Sequence, residues 1–329
     1  MIITKTPLRI SFVGGGSDLR DFYLFSDGKV ISSAIDKYVY VIVKERFDDK
    51  VYLNYSRKEI VNSVDEVEHD LVREAMRFAG IDKGVEITTL ADIPSEGSGL
   101  GSSSSVLVGL LHAFYAYKGE AVTNERLASE ACKIEIDILK KPIGKQDQYA
   151  AAYGGINKIT FKKNDTVEVQ KIDINDKQYR TFGSNLLLFY TDKTRKSSEI
   201  LRGQKENTKN KLEVLKKMVD LVDLFEKDLI EENYDQLGKL LHKNWQYKKE
   251  LSPKITNGDI ENMYRTALDA GAIGGKISGA GGGGFLLLYV PRESQNKVRQ
   301  ALSGYRELPF FLEKYGSQII FNQRSYPWK

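Results

Sequence analysis

The segment Ile93-Pro-Ser-Glu-Gly-Ser-Gly-Leu-Gly-Ser-Ser-Ser-Ser105 runs straight into the apolar stretch Val106-Leu-Val-Gly-Leu-Leu111. A glycine- and serine-rich turn that opens a helix is one way proteins hold phosphate. The glycines let the backbone approach an anion closely. The unpaired N–H groups at the helix start then point at it, together with the positive end of the helix dipole. The serine hydroxyls can serve a phosphate or a magnesium ion. Val106, Leu107, Leu110, Leu111 and Phe114 recur at helical spacing, which predicts a buried helix ending near Gly119. The first reading is therefore nucleotide chemistry.

Working outward, 329 residues are enough for a large core divided between two domains. A hydrophobic share of 41% and a charged share of 29% are those of a soluble globular chain. The formal charge of +4 is spread along the chain rather than blocked, so a nucleic-acid partner is not indicated. Cys132 is the single cysteine, which rules out an internal disulfide and fits a reducing compartment. His69, His112 and His242 are far apart in sequence and lack zinc-site spacing. The first residues, Met1 to Pro7, lead into a strand pattern without the features of a signal peptide, and no apolar stretch is long enough to cross a membrane. The expected location is the cytoplasm, as a monomer or homodimer.

Strand-like runs are expected at Leu8–Val13, Val30–Glu45 (a long strand or a bent pair), Val51–Tyr55 and Val85–Leu90. Ile156–Phe161 with Val167–Ile172 reads as a hairpin, and Leu186–Tyr190 and Phe285–Val290 read as further strands. Helical spacing marks His69–Ala79, Asn124–Leu139, Glu206–Glu231, Tyr234–Lys249 and Ile260–Asp269, with a last helix near Ser294–Ser303. This is an α+β pattern in two halves, 1–180 and 181–329.

The phosphate binder is not a P-loop, since Gly275-Lys276 is followed by Ile277 where a Ser or Thr is required. Gly279, Gly281 and Gly284 form a G-x-G-x-x-G string, but Phe285-Leu-Leu-Leu-Tyr-Val290 after it reads as a strand, not the helix of a dinucleotide fold.

Three segments in order resemble the GHMP kinases, the family that includes galactokinase, homoserine kinase and the mevalonate-type kinases. Pro94-Ser-Glu-Gly-Ser-Gly-Leu-Gly-Ser-Ser-Ser104 is similar to the family's phosphate loop, Thr6 to Asp18 to its N-terminal substrate motif, and Lys276 to Phe285 to its C-terminal glycine motif. The resemblance implies a two-domain fold, an N-terminal ribosomal-protein-like α+β domain and a C-terminal ferredoxin-like domain, with the active site between them. It implies ATP and Mg2+ as donor and metal. By the same resemblance Pro94, Gly97, Ser98, Gly99, Leu100, Gly101, Ser102, Ser103 and Ser104 hold the triphosphate. Gly144-Lys-Gln-Asp-Gln148 resembles the galactokinase-type segment whose aspartate faces the acceptor hydroxyl, here Asp147. Glu135 corresponds to the magnesium carboxylate, with Ser103 or Ser102 supplying a hydroxyl; Glu130 and Asp137 compete with it on the same helix. Arg9, ahead of Lys5, corresponds to the basic residue near the transferred phosphoryl.

The acceptor is read from Gly14, Gly15, Gly16, Ser17 and Asp18, together with Gly279, Gly281 and Gly282. Galactokinases carry a Glu-His pair where this chain has Gly15-Gly16, so a bulkier sugar or backbone contacts are expected there. Phe189-Tyr-Thr-Asp-Lys-Thr-Arg-Lys-Ser-Ser198 gathers Lys193, Arg195 and Lys196 with several hydroxyls, which suits an anionic group on the acceptor. Together these segments resemble the branch of bacterial heptose 7-phosphate kinases, which implies phosphorylation at the anomeric hydroxyl in GDP-heptose synthesis for surface polysaccharide. Other readings are a fucokinase-like enzyme with a neutral sugar, or a non-catalytic nucleic-acid-binding module.

Overall fold

Two β-sheets, one in each half of the chain, organise the computed structural model, which describes residues 1–93, 97–192 and 211–323. In chain order the strands are β1 (Ile2–Val13), β2 (Gly28–Glu45), β3 (Val51–Asn54), β4 (Lys58–Val61), β5 (Val85–Ala91), β6 (Ile156–Phe161), β7 (Val167–Lys171), β8 (Leu186–Tyr190), β9 (Gly274–Ile277), β10 (Phe285–Tyr289), β11 (Leu312–Glu313) and β12 (Gln318–Asn322). The helices are α1 (Arg20–Tyr23), α2 (Asp70–Ala79), α3 (Ser102–Lys118), α4 (Asn124–Cys132), α5 (Gln146–Tyr153), α6 (Asp176–Ser184), α7 (Leu212–Ile230), α8 (Tyr234–Leu251), α9 (Gly258–Asp269) and α10 (Gln295–Ala301).

β1 and β2 form the axis of the first sheet, running antiparallel from Ile2 opposite Val43 to Val13 opposite Ile31. The Val30–Glu45 run is a single strand rather than a pair. Its register slips where Pro7 gives way to Leu8, because proline has no N–H to give the ladder. The slip bends the strand, so that its first half pairs with β6 and its second half with β5. The helix predicted from the opening segment is α3, which packs on β1 and β2 and buries Leu107, Leu110, Leu111 and Phe114. It is nearly apolar all round, the pattern of a helix sheathed on every side.

The second sheet has the order β8-β10-β9, and Glu307 bridges to Phe189 on the outer side of β8. With α7 to α9 between β8 and β9, and α10 after β10, this is a βαββαβ arrangement of ferredoxin-like type. The division expected at residue 180 falls inside α6, and β11 and β12 leave the second half to join the first sheet, on β2 and β1. The second half is therefore interrupted: its last strands complete the sheet of the first. No helix among the described residues is long and apolar enough to cross a membrane.

Candidate active site

The ends of β1, α3 and α5 from the first half, and of α8 and β9 from the second, surround one cavity of about 380 Å³, an ordinary size for a small-molecule site. Its walls bring together residues from all three glycine segments: Gly15, Gly16 and Asp18; Gly97 to Gly99 and Gly101 to Ser104; Gly279 and Gly281.

The phosphate-loop segment is shaped by backbone conformation. Gly99 and Gly101 both have positive φ, at 72° and 77°, and Gly101 is the residue from which α3 starts. A side chain there would strain the turn that aims the first N–H groups of α3 into the cavity. The two glycine loops also touch backbone to backbone. A Cβ built on Gly279 would lie 2.7 Å from the Gly99 Cα, and one on Gly284 would lie 2.6 Å from the Ser98 carbonyl oxygen. The loop from the first half thus rests directly on the turn between β9 and β10.

Arg9 ties this loop to Asp147. Its Nε donates to Asp147 Oδ1 at 2.8 Å, its Nη2 to Oδ2 at 2.7 Å, and its Nη1 to the Gly99 carbonyl at 2.6 Å. The two parallel bonds fix the carboxylate plane. The side chains are 5% and 28% exposed, so the guanidinium is sealed behind while the carboxylate keeps an open face on the cavity. Lys5 instead lies over the Tyr38 ring at 4.3 Å, away from the cavity.

Glu135 is fully buried at the other end. Ser103 and Ser104 donate to its two oxygens at 2.7 and 2.6 Å, and Gln148 Nε2 donates at 2.6 Å. Burial raises its pKa; the Ser104 hydroxyl, Lys141, Ser103 and Gln148 oppose that shift in decreasing order. Of its competitors, Glu130 bonds Tyr115 and Arg126, and Asp137 bonds Arg20 at the surface. A wide π turn over Lys133–Ile138 is what swings Glu135 inward. Carboxylate and hydroxyl oxygens are hard donors, and the donor set fits a magnesium ion that takes few protein ligands. Ser102 Oγ is buried without a hydrogen-bond partner among the described residues and also lines the cavity.

Asp18 faces Asp147 across the acceptor end. Burial, and then the Asp147 charge, push its pKa up; the Gly16 N–H donates to its Oδ1 at 3.0 Å. Gly144 lies flat against it, and a methyl group there would overlap the Asp18 carboxylate. Gly144→Ala is expected to raise KM for the acceptor about tenfold, the cost of one displaced hydrogen-bonding group, with KM for ATP unchanged. Equal rises in both KM values would show that Asp18 does not act on the acceptor alone.

Some residues of the predicted set stand behind the cavity wall. Gly14 donates its N–H to Asn244 Oδ1, and the Ser17 hydroxyl bonds Lys29. The Leu100 side chain is in the core, while its carbonyl accepts the Arg9 N–H at 2.9 Å; the Gly282 N–H is spent on the Ile255 carbonyl. These four shape the loops rather than line the cavity. Pro94, Lys193, Arg195 and Lys196 lie outside the described residues. The sequence reading missed Lys248, which lines the cavity from α8, and Lys276, buried on β9. Lys248 had a signal: it continues the stripe Leu237, Leu241, Trp245, where a charged residue is out of place.

Comparison with known proteins identifies the family. Residues 67–155 match the family model for the GHMP kinases N terminal domain, and residues 225–307 match that for GHMP kinases C terminal. The chain is 30% identical over 320 residues to a D-glycero-alpha-D-manno-heptose 7-phosphate kinase of Campylobacter jejuni, covering 91% of this chain and 92% of that protein. It is 26% identical to an L-fucokinase/L-fucose-1-P guanylyltransferase of Bacteroides fragilis, covering 90% of this chain but 35% of that longer protein. A solved structure of a D-glycero-D-manno-heptose 1-phosphate kinase from Bacteroides thetaiotaomicron superposes with a TM-score of 0.83 at 26% identity, covering 99% of this chain and all of that one. The chain belongs to the GHMP kinase family.

Proposed function

We propose that the protein transfers the terminal phosphoryl group of ATP to the anomeric 1-hydroxyl of D-glycero-D-manno-heptose 7-phosphate, giving the 1,7-bisphosphate. The reaction would supply GDP-heptose synthesis for surface polysaccharide, in the cytoplasm. The observation that carries the kinase reading is the convergence of three glycine segments on one cavity with the Arg9–Asp147 pair at its centre. The acceptor reading is supported by Gly15 and Gly16, which line the cavity together with Asp18, and by the name of the 30% identical relative.

In this reading the loop from Gly97 to Ser104 and the start of α3 cradle the triphosphate. Ser103 and Glu135 would hold Mg2+, with Ser104 steadying the same carboxylate; bound there, the metal would draw charge from the phosphate oxygens. Asp18 and the Gly15–Gly16 backbone orient the sugar. Asp147 receives the hydroxyl proton or holds the hydroxyl in line for attack. The demand on it is modest, because an anomeric hydroxyl is more acidic than an ordinary alcohol and phosphoryl transfer is mostly positioning and electrostatics. We assign the 7-phosphate to Arg195 with Lys193 or Lys196, on the sequence alone.

The test is ADP release across a panel of free and phosphorylated sugars, with the product's phosphorylation site read by phosphorus NMR. Turnover confined to the 7-phosphorylated heptose is expected. Preference for a free sugar would favour the fucokinase-like reading, which the Bacteroides fragilis relative keeps in view. Arg195→Ala is expected to raise KM about tenfold or more for the phosphorylated sugar, the loss of a charge-assisted contact. An equal rise for the unphosphorylated analogue would remove Arg195 from the phosphate site.

A further inference from the structure

Lys248 sits in the last turn of α8, 4% exposed, and reaches out of the second half into the cavity. Among the described residues its ammonium has one hydrogen-bond partner, the Gly279 carbonyl, on the turn that rests against Gly99. Two of its three N–H groups are therefore left for a ligand. The neighbouring anions are already engaged. Both Asp147 oxygens accept from Arg9, and Asp18 Oδ1 accepts the Gly16 N–H. A buried ammonium with a single carbonyl partner is costly to keep charged unless an anion joins it.

Its position suggests which anion. Lys248 lies against the turn that meets the phosphate loop, near Arg9, Asp18 and Asp147. We propose that Lys248 is a catalytic residue of the transfer step, its Nζ donating to an oxygen of the phosphoryl group in flight. This rests on the cavity being the phosphoryl-transfer site, but not on the identity of the sugar. In the step, the bond from the terminal phosphorus to the donor's bridging oxygen breaks and its electron pair leaves with ADP. The acceptor oxygen bonds the phosphorus, and the hydroxyl proton passes to Asp147 or to solvent. Lys248 exchanges no atom; it offsets charge that spreads over the phosphoryl oxygens in the transition state.

The protonation state is consistent with this role. Burial lowers the Lys248 pKa to about 8; the charge of Arg9 adds to the fall, and Asp18 and Asp147 oppose it. Lys276, on β9, is the other basic group packed close by, and burial, then the charges of Lys248 and Arg9, push its own pKa well down. The ammonium is thus present at neutral pH and is lost as pH rises through about 8. A kcat/KM for ATP that falls over this range is expected in the wild type and not in Lys248→Met; the same alkaline fall in both proteins would overturn its assignment to Lys248.

Lys248→Met keeps the unbranched apolar stem and removes the charged end. With any sugar the wild type phosphorylates, kcat is expected to fall about 100-fold or more, as when one preorganised donor is lost, with KM for ATP and sugar little changed. A kcat within twofold of wild type, or a rise confined to the sugar KM, would overturn the proposal. A second measurement needs no acceptor: the affinity for ADP with magnesium and aluminium fluoride, a mimic of the phosphoryl in flight, set against ADP alone. Lys248→Met is expected to weaken the first at least tenfold and leave the second unchanged, which also reports a folded site. Equal affinity of both proteins for the fluoride complex would rule the contact out. If the wild type turns over no sugar of the panel, the acceptor reading fails while this measurement still decides Lys248.

Discussion

Asp147→Asn is expected to lower kcat by about 10²–10⁴-fold, the range for losing a positioned proton acceptor, with the melting temperature close to wild type. The substitution keeps shape and volume. It also places an amide N–H2 where Arg9 now donates to a carboxylate oxygen at 2.7 or 2.8 Å, so donor would face donor. Only one of the two Arg9 bonds to this side chain can survive, to the amide oxygen, while Nη1 keeps the Gly99 carbonyl. Two effects then coincide: the acceptor hydroxyl loses its proton acceptor, and the Arg9 link between phosphate loop and acceptor end is weakened by one bond. Steady-state kinetics with the preferred sugar, and ADP binding as a check on folding, measure the outcome. Near-normal turnover would take Asp147 out of the reaction.

Gly99→Ala is expected to reduce kcat/KM for ATP about 100-fold and to lower the melting temperature by several degrees. A left-handed backbone with a side chain costs about 1–2 kcal/mol, and at Gly99, with φ of 72°, a Cβ would also press into the Ser278 carbonyl. That carbonyl cannot easily yield, because the Ser278 N–H is bonded to the Phe285 carbonyl at 2.8 Å and the turn follows β9 directly. Gly84→Ala separates the two costs. Gly84 has nearly the same φ, 73°, but nothing lies within 4 Å of its Cβ position. It should lose stability by the strain alone and leave KM for ATP untouched. If both variants behave alike, contact between the two glycine loops has no bearing on nucleotide handling.

The phosphate loop was legible in sequence because its signal is local: glycines at the turn, serines at the helix start, and an apolar helix behind. The same holds for α2, closed by Gly80 in the left-handed conformation, and for the β6–β7 hairpin. What sequence patterns missed depends on distant neighbours. The β1–β2 slip at Pro7 decides that Val30–Glu45 is one bent strand. The π turn over Lys133–Ile138 decides which acidic residue faces inward, and no residue-type pattern marks it. Gly14 and Ser17 belong to the acceptor motif in sequence, yet Asn244 and Lys29 claim them for loop support. Lys248 was visible only as a misplaced charge on an apolar stripe, and its meaning depends on two halves of the chain meeting around it.

The return of β12 to β1 bears on how the chain is made. β1 is made more than 300 residues before its partner, with the register Ile2 opposite Asn322 and Lys5 opposite Gln318 waiting for β12. Until that strand emerges, the outer edge of β1 carries unpaired backbone groups beside a nearly finished core, a surface prone to pairing with other chains. The first half therefore cannot complete its sheet until the second half has been made. Assembly of the edge is postponed to the moment when the second half is also available to fold, and this late closure (an extreme of long-range pairing) is a slow step in the sense that distant contacts are slow.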